Sequence, residues 1–206
     1  MLANKHEIQA LIAADPVMRP LVEKIEFPAP LEERDLYFDL VRSIVFQQLS
    51  TKAAQTIFDR FSNLFENKWP HPEQLLRMEM EPMRKAGLSR QKASYVQNVA
   101  AFFLEKNLLS YDWTEQEDGA ILQLLTRIKG VGIWTAEMIL MFTLNRPDVF
   151  PLDDLGIQTA VTKLYGLPEG KDKKKRMLEI AEAWRPYRTY ASKYLWRYLD
   201  EGFGKN

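Results

Sequence analysis

Two short stretches of the chain hold residue types that can do chemistry. Gly130-Val131-Gly132 joins two apolar helical runs, and Asp153-Asp154 follows the second run after Pro151. Two glycines one residue apart let the backbone bend sharply and approach a ligand without Cβ clashes. The amides after such a turn open a helix, where free N–H groups and partial positive charge favour an anion such as a phosphate. A carboxylate placed beyond it is a candidate for acid–base or electrostatic work. Each stretch also has a plainer reading. The glycines can close a helix corner, and an aspartate there can be a helix N-cap.

The elements that must position these residues read as helices almost throughout. Helices are expected over 5–14 and 17–25, with an extended linker at Phe27-Pro-Ala-Pro30. Asp35 is placed to cap a helix in which Tyr37, Leu40, Val41, Ile44 and Val45 fall at i, i+3, i+4, i+7 and i+8. That helix runs into Phe46-Gln47-Gln48-Leu49, after which Ser50 caps a helix over 51–65. Short helices follow at 73–78 and from Pro82 to a Gly87 stop, and Ser89 caps a long one over 90–106. Thr114-x-x-Glu117 reads as a capping box for the run that reaches Ile128. The helix at 133–144 is apolar on two faces, which predicts burial between neighbours. Further helices are expected at 154–165, 172–184 and 187–200. No alternating strand pattern of useful length appears, so the fold class is all-α.

Composition narrows the function. A chain of 206 residues with 46% apolar and 12% aromatic residues can bury a good core. No apolar run reaches the roughly 18 residues needed to cross a bilayer, and the N-terminus lacks a signal-peptide pattern. A cytoplasmic location is the expectation, nucleoid-associated in a bacterium, with no membrane partner. The absence of cysteine excludes a thiolate nucleophile and an iron–sulfur cluster. The two histidines, His6 and His71, are too few for a His-based relay or metal site. Net charge is zero, with 28 basic and 28 acidic residues. That balance leaves room for a local stripe of Lys and Arg to meet phosphates.

The stretch from Leu124 to Ala136, including Lys129-Gly-Val-Gly-Ile-Trp134, resembles the helix-hairpin-helix of the HhH-GPD DNA glycosylase superfamily. Lys129 stands where that family often has proline. Phe150-Pro-Leu-Asp-Asp-Leu-Gly-Ile157 resembles its aspartate segment, in which a branched apolar residue follows the essential Asp by three; Asp154 with Ile157 fits. Trp184-Arg-Pro-Tyr-Arg-Thr-Tyr-Ala-Ser-Lys-Tyr-Leu-Trp196 is similar to the end of the 3-methyladenine DNA glycosylase II branch. With Gln47-Gln48 and the Gly87 to Tyr95 stretch, the resemblance spans about 36–200. With only 1–35 ahead of the helical core, the chain resembles compact members without the N-terminal β domain of some relatives.

The resemblance implies one glycosylase unit over 1–206 with two helical lobes facing a cleft. Lobe A would be 36–146, including the hairpin at 121–145; lobe B would be 1–35 plus 147–206, with Asp154 where they meet. The implied activity is hydrolysis of the N-glycosidic bond of alkylated purines, such as 3-methyladenine and 7-methylguanine, flipped out of damaged duplex DNA. Asp154 would stabilise the positive charge on the sugar and orient water, with Asp153 turned to local backbone. Relatives that also nick the strand carry a lysine nucleophile where this chain has Trp134, and indole cannot form a Schiff base. A monofunctional enzyme is therefore expected. Trp134, Trp196 and Met138 would line the base pocket, although a core role for either tryptophan stays open. A cationic alkylated base is a good leaving group and is attracted to indole faces.

Gln48 would fill the gap left by the flipped base, or be no more than a polar helix end. Lys129, Gly130, Val131 and Gly132 would hold phosphate, with Lys52 and Lys92 as additions. The resemblance also implies that the carbonyls of Thr126, Ile128 and Val131 would hold a monovalent cation, Na+ or K+, and that no other cofactor is required. A monomer is expected. A non-catalytic hairpin module that binds DNA, and a glycosylase of another lesion class, are the alternatives.

Overall fold

The computed structural model describes residues 5–25 and 34–202. The expected linker at 27–30 lies outside them. Every regular element among the described residues is helical. The chain divides into two compact units, one made of 1–32 with 145–206 and the other of 33–144. No helix among the described residues is long and apolar enough to cross a membrane.

In chain order, α1 (Lys5–Ala14) and α2 (Arg19–Lys24) belong to the first unit. Between them Asp15 caps a single 3-10 turn by accepting from Val17 N. The second unit holds α3 (Leu36–Phe46), α4 (Thr51–Ser62), α5 (Pro72–Arg77), α6 (Met80–Ala86), α7 (Arg90–Glu105), α8 (Asp118–Leu125) and α9 (Ile133–Phe142). The chain then re-enters the first unit with α10 (Leu155–Tyr165), α11 (Lys173–Glu182) and α12 (Arg188–Asp200).

Local capping chemistry sets most boundaries. Side chains of Asp35, Ser50, Ser89 and Asp154 accept from the amides of Phe38, Ala53, Lys92 and Ile157 at the starts of α3, α4, α7 and α10. Gly87 and Gly166 close α6 and α10 in the left-handed conformation. The capping box at Thr114 does not form. Thr114 turns its hydroxyl and amide to Asp112 Oδ1, at 2.6 and 2.9 Å, and Glu117 is the N-cap residue of α8. An aspartate two residues upstream thus outcompetes a longer-range box.

Each unit has its own core. In the second, α3 packs on α4, α7 and α9, and the Leu40, Val41, Ile44 and Val45 stripe is fully buried. In the first, α12 packs on α1, α2 and α10 around Ile157, Met177, Trp184 and Leu195. Asp15 is buried there and receives the Trp184 indole N–H at 2.8 Å and the Tyr165 hydroxyl at 2.5 Å. The α9 helix departs from the expectation of burial on two faces. Ala136, Ile139, Leu140 and Met141 are buried, but Ile133 is 60% and Trp134 44% exposed. Trp134 is exposed because it lines a cavity.

Candidate functional site

Within the second unit, a cavity of about 540 Å³ opens between the ends of α3 and α9. Trp134, Met138, Gln48 and Gly132 line it together, with Arg42, Phe46 and Gln47. So two expected wall residues, the expected wedge and one glycine of the expected phosphate grip share a concavity. Trp196, also expected at the pocket, is not in its lining and instead bonds Asp154 in the first unit. The cavity's size is in the range of small-molecule sites and its lining mixes aromatic with polar groups. Trp134 comes from the first turn of α9 and Met138 from the next, one turn apart on one face. Arg42 lies over the Phe46 ring, 4.1 Å from its centroid, and burial lowers its pKa.

The hairpin shows different demands at its two glycines. Gly130 has φ +109, and a Cβ there would fall 2.3 Å from Cγ of Tyr95. Only glycine fits, because the backbone is both left-handed and pressed on an aromatic ring. At Gly132 nothing lies within 4 Å of a Cβ position, so the start of α9 faces open space. Val131 is buried and its amide donates to the Ile128 carbonyl at 2.9 Å, closing the turn. The Lys129 side chain is exposed, while its carbonyl accepts from Asn98 Nδ2 at 3.0 Å.

Gln48 is exposed and held at φ +57, an uncommon conformation for a residue with a side chain. The residue before it was missed in the sequence. Gln47 Nε2 donates to the Gly130 carbonyl at 3.1 Å, joining the turn after α3 directly to the hairpin. Lys92 is corrected from a phosphate contact. Its ammonium donates to the carbonyls of Val45 at 2.8 Å and Gln47 at 2.6 Å, and burial lowers its pKa. Lys52 stays exposed in the first turn of α4.

The carboxylate site lies in the first unit. Asp154 Oδ1 accepts from the Ile157 amide at 2.8 Å and from Trp196 Nε1 at 2.9 Å. One carboxylate oxygen thus both caps α10 and takes a bond from α12. Trp196 comes from α12, which packs along α10. Gly156 makes this contact possible. A Cβ there would sit 3.0 Å from Asp154 Oδ1 and 3.1 Å from Trp196 Cδ1, tighter than ordinary contact. Sequence reading gave Gly156 no role. Asp153 does not turn to local backbone; its Oδ1 pairs with Lys174 Nζ at 2.5 Å on the surface.

The chain is similar to known proteins in both sequence and fold. The family described as HhH-GPD superfamily base excision DNA repair protein matches residues 41–186. DNA-3-methyladenine glycosylase 1 of Schizosaccharomyces pombe is 37% identical over 169 residues, covering 81% of this chain and 74% of that protein. Of a Bacillus subtilis relative at 34% identity the chain spans 59%. Among solved structures, S. pombe 3-methyladenine DNA glycosylase in complex with abasic DNA superposes with a TM-score of 0.81 at 34% identity, covering 94% of this chain and 96% of that one. A DNA-3-methyladenine glycosidase from Bacillus halodurans gives 0.79 at 37% identity, covering 95% and 89%.

Proposed function

Since the chain belongs to the HhH-GPD superfamily of base excision DNA repair proteins, we propose that it hydrolyses alkylated purines, such as 3-methyladenine and 7-methylguanine, from duplex DNA. One observation carries the assignment of parts: Trp134, Met138, Gln48 and Gly132 share a single cavity. The base must leave the stack before its sugar carbon can be reached. The cavity takes the extruded base against the Trp134 indole, and Gln48 fills the gap in the duplex. Amides at the start of α9 and the Lys129 ammonium hold a backbone phosphate.

Asp154 works on the sugar. Loss of the base builds positive charge there, and a carboxylate beside it lowers the barrier while orienting or deprotonating water. Bonds to Ile157 N and Trp196 Nε1 fix the orientation of its Oδ1. A cationic alkylpurine leaves readily, so no strong general acid is needed. Trp134 stands where a lysine would be needed for strand cleavage, which supports water as the nucleophile and an abasic product. The enzyme works as a monomer without a catalytic cofactor. The neutral carbonyls of Thr126, Ile128 and Val131 would hold a monovalent cation at the hairpin, which would supply positive charge for an anionic ligand there. Ile128 O already takes the Val131 amide and has a second lone pair to offer.

Incubation with methylated duplex DNA tests this directly, with released bases resolved by chromatography and strand nicking scored separately. Release of methylated purines without nicking is expected. A protein that binds the duplex and releases nothing is the non-catalytic hairpin module instead. Borohydride trapping of a covalent adduct would point to a lyase.

A further inference from the structure

Three side chains along α7 reach the two turns that border the cavity. Lys92 donates to the Val45 and Gln47 carbonyls at the end of α3, at 2.8 and 2.6 Å. Tyr95 supplies the ring on which Gly130 rests. Asn98 Nδ2 donates to the Lys129 carbonyl at 3.0 Å. The spacing 92, 95, 98 keeps them along one side of the helix. Gln47 Nε2 then closes the circuit by donating to the Gly130 carbonyl at 3.1 Å.

The last carbonyls of a helix have no partner within it, and a cation there also meets the negative end of the helix dipole. Lys92 satisfies α3 in both respects. In doing so it holds the backbone on either side of Phe46, immediately before Gln48 turns left-handed at φ +57. A residue with a side chain persists in that conformation only where its surroundings impose it. The ammonium is part-buried and engages both carbonyls, so a purely solvent-facing role for Lys92 is a poor account of its position.

We propose that Lys92 is a positioning residue for base extrusion, tying the Gln48 turn to α7, while the Gln47 side chain carries that turn to the Gly130–Gly132 hairpin, so that wedge and phosphate grip act in fixed register. This rests on the wedge role of Gln48 stated above. Gln47 is the second tie. Neither residue needs to touch the reacting atoms; their effect falls on the step that takes the base out of the stack.

The test compares Lys92→Met and Gln47→Met with wild type on two duplexes, one with 7-methylguanine paired with cytosine and one with it mismatched with thymine. A mismatched base is cheaper to extrude. Both variants should lose kcat on the paired substrate by about ten- to hundredfold, the worth of a charge-assisted bond for Lys92 and the low end for Gln47. The loss on the mismatched substrate should be at least about threefold smaller, by the same arithmetic. A 2-aminopurine reporter next to the lesion should brighten with wild type and stay dim with the variants. Equal losses on both duplexes that track a lower Tm would overturn the proposal, leaving Lys92 a structural clamp. So would variants with undiminished excision and a bright reporter. A wild-type enzyme that excises the base with the reporter dark would remove the wedge role of Gln48 itself, and the positioning role with it.

Discussion

The Trp196 indole N–H and the Ile157 amide both donate to Oδ1 of Asp154, at 2.9 and 2.8 Å. One oxygen of the carboxylate is thus fixed by α10, which it caps, and by α12, which packs alongside. Trp196→Phe keeps most of the bulk and removes the donor. A hydrogen bond to a charged group contributes about 1.5–3 kcal/mol, so kcat should fall about ten- to hundredfold with KM little changed. Gly156→Ala should do the same by pushing the indole away from Oδ1. Steady-state release of methylated purine measures both; unchanged kcat in Trp196→Phe would mean the indole does not orient the carboxylate.

The two hairpin glycines should separate stability from binding. Gly130→Ala places a Cβ against the Tyr95 ring at positive φ, and should cost about 1–3 kcal/mol of stability. Gly132→Ala meets no neighbour, and should stay within about 0.5 kcal/mol of wild type while weakening affinity for duplex DNA. Thermal melts and a salt-controlled binding titration check the pair. Equal destabilisation by both would contradict the geometry.

Trp134 is half exposed at the cavity, so truncating it should barely affect folding. Trp134→Ala should keep Tm within a few degrees and lower kcat/KM for alkylpurine release about tenfold or more, through loss of the indole face. A core tryptophan would show the reverse, a large drop in Tm carrying the loss of activity.

Much of this was legible in the sequence because it is local. The caps at Asp35, Ser50, Ser89 and Asp154 act within three residues, and Gly87 and Gly166 stop their helices with their own backbone. The Gly-x-Gly turn, Trp134 and the aspartate pair could be read in order for the same reason. What escaped was set by pairs remote in the chain. Gln47 reaches Gly130, Lys92 reaches Val45, and Trp196 reaches Asp154; no period or motif records which side chain meets which carbonyl. Lys92 read as a solvent-facing cation because burial of a lysine depends on what folds over it. Asp112 defeated the box at Thr114 because two short-range partners competed for one hydroxyl.

Tyr194 provides a pH test of the first unit's packing. Burial raises its phenol to about 12, against 10.0 for the ordinary group. The folded state therefore holds the proton longer than the unfolded chain. The stability this contributes is present below pH 10 and is lost as pH rises from about 10 towards 12. Between pH 9 and 11 wild type should lose about 1 kcal/mol relative to Tyr194→Phe, read from denaturant melts at each pH. Parallel curves for the two proteins would place the phenol in water.

Catalysis by the Asp154 carboxylate is tested most directly by Asp154→Asn, which keeps a side-chain oxygen to cap α10 and removes the charge. On duplex DNA carrying 7-methylguanine, single-turnover release should fall by about a hundredfold or more, the scale of a lost transition-state charge, with Tm and DNA affinity near wild type. A folded Asp154→Asn protein that releases the base at the wild-type rate would contradict the account.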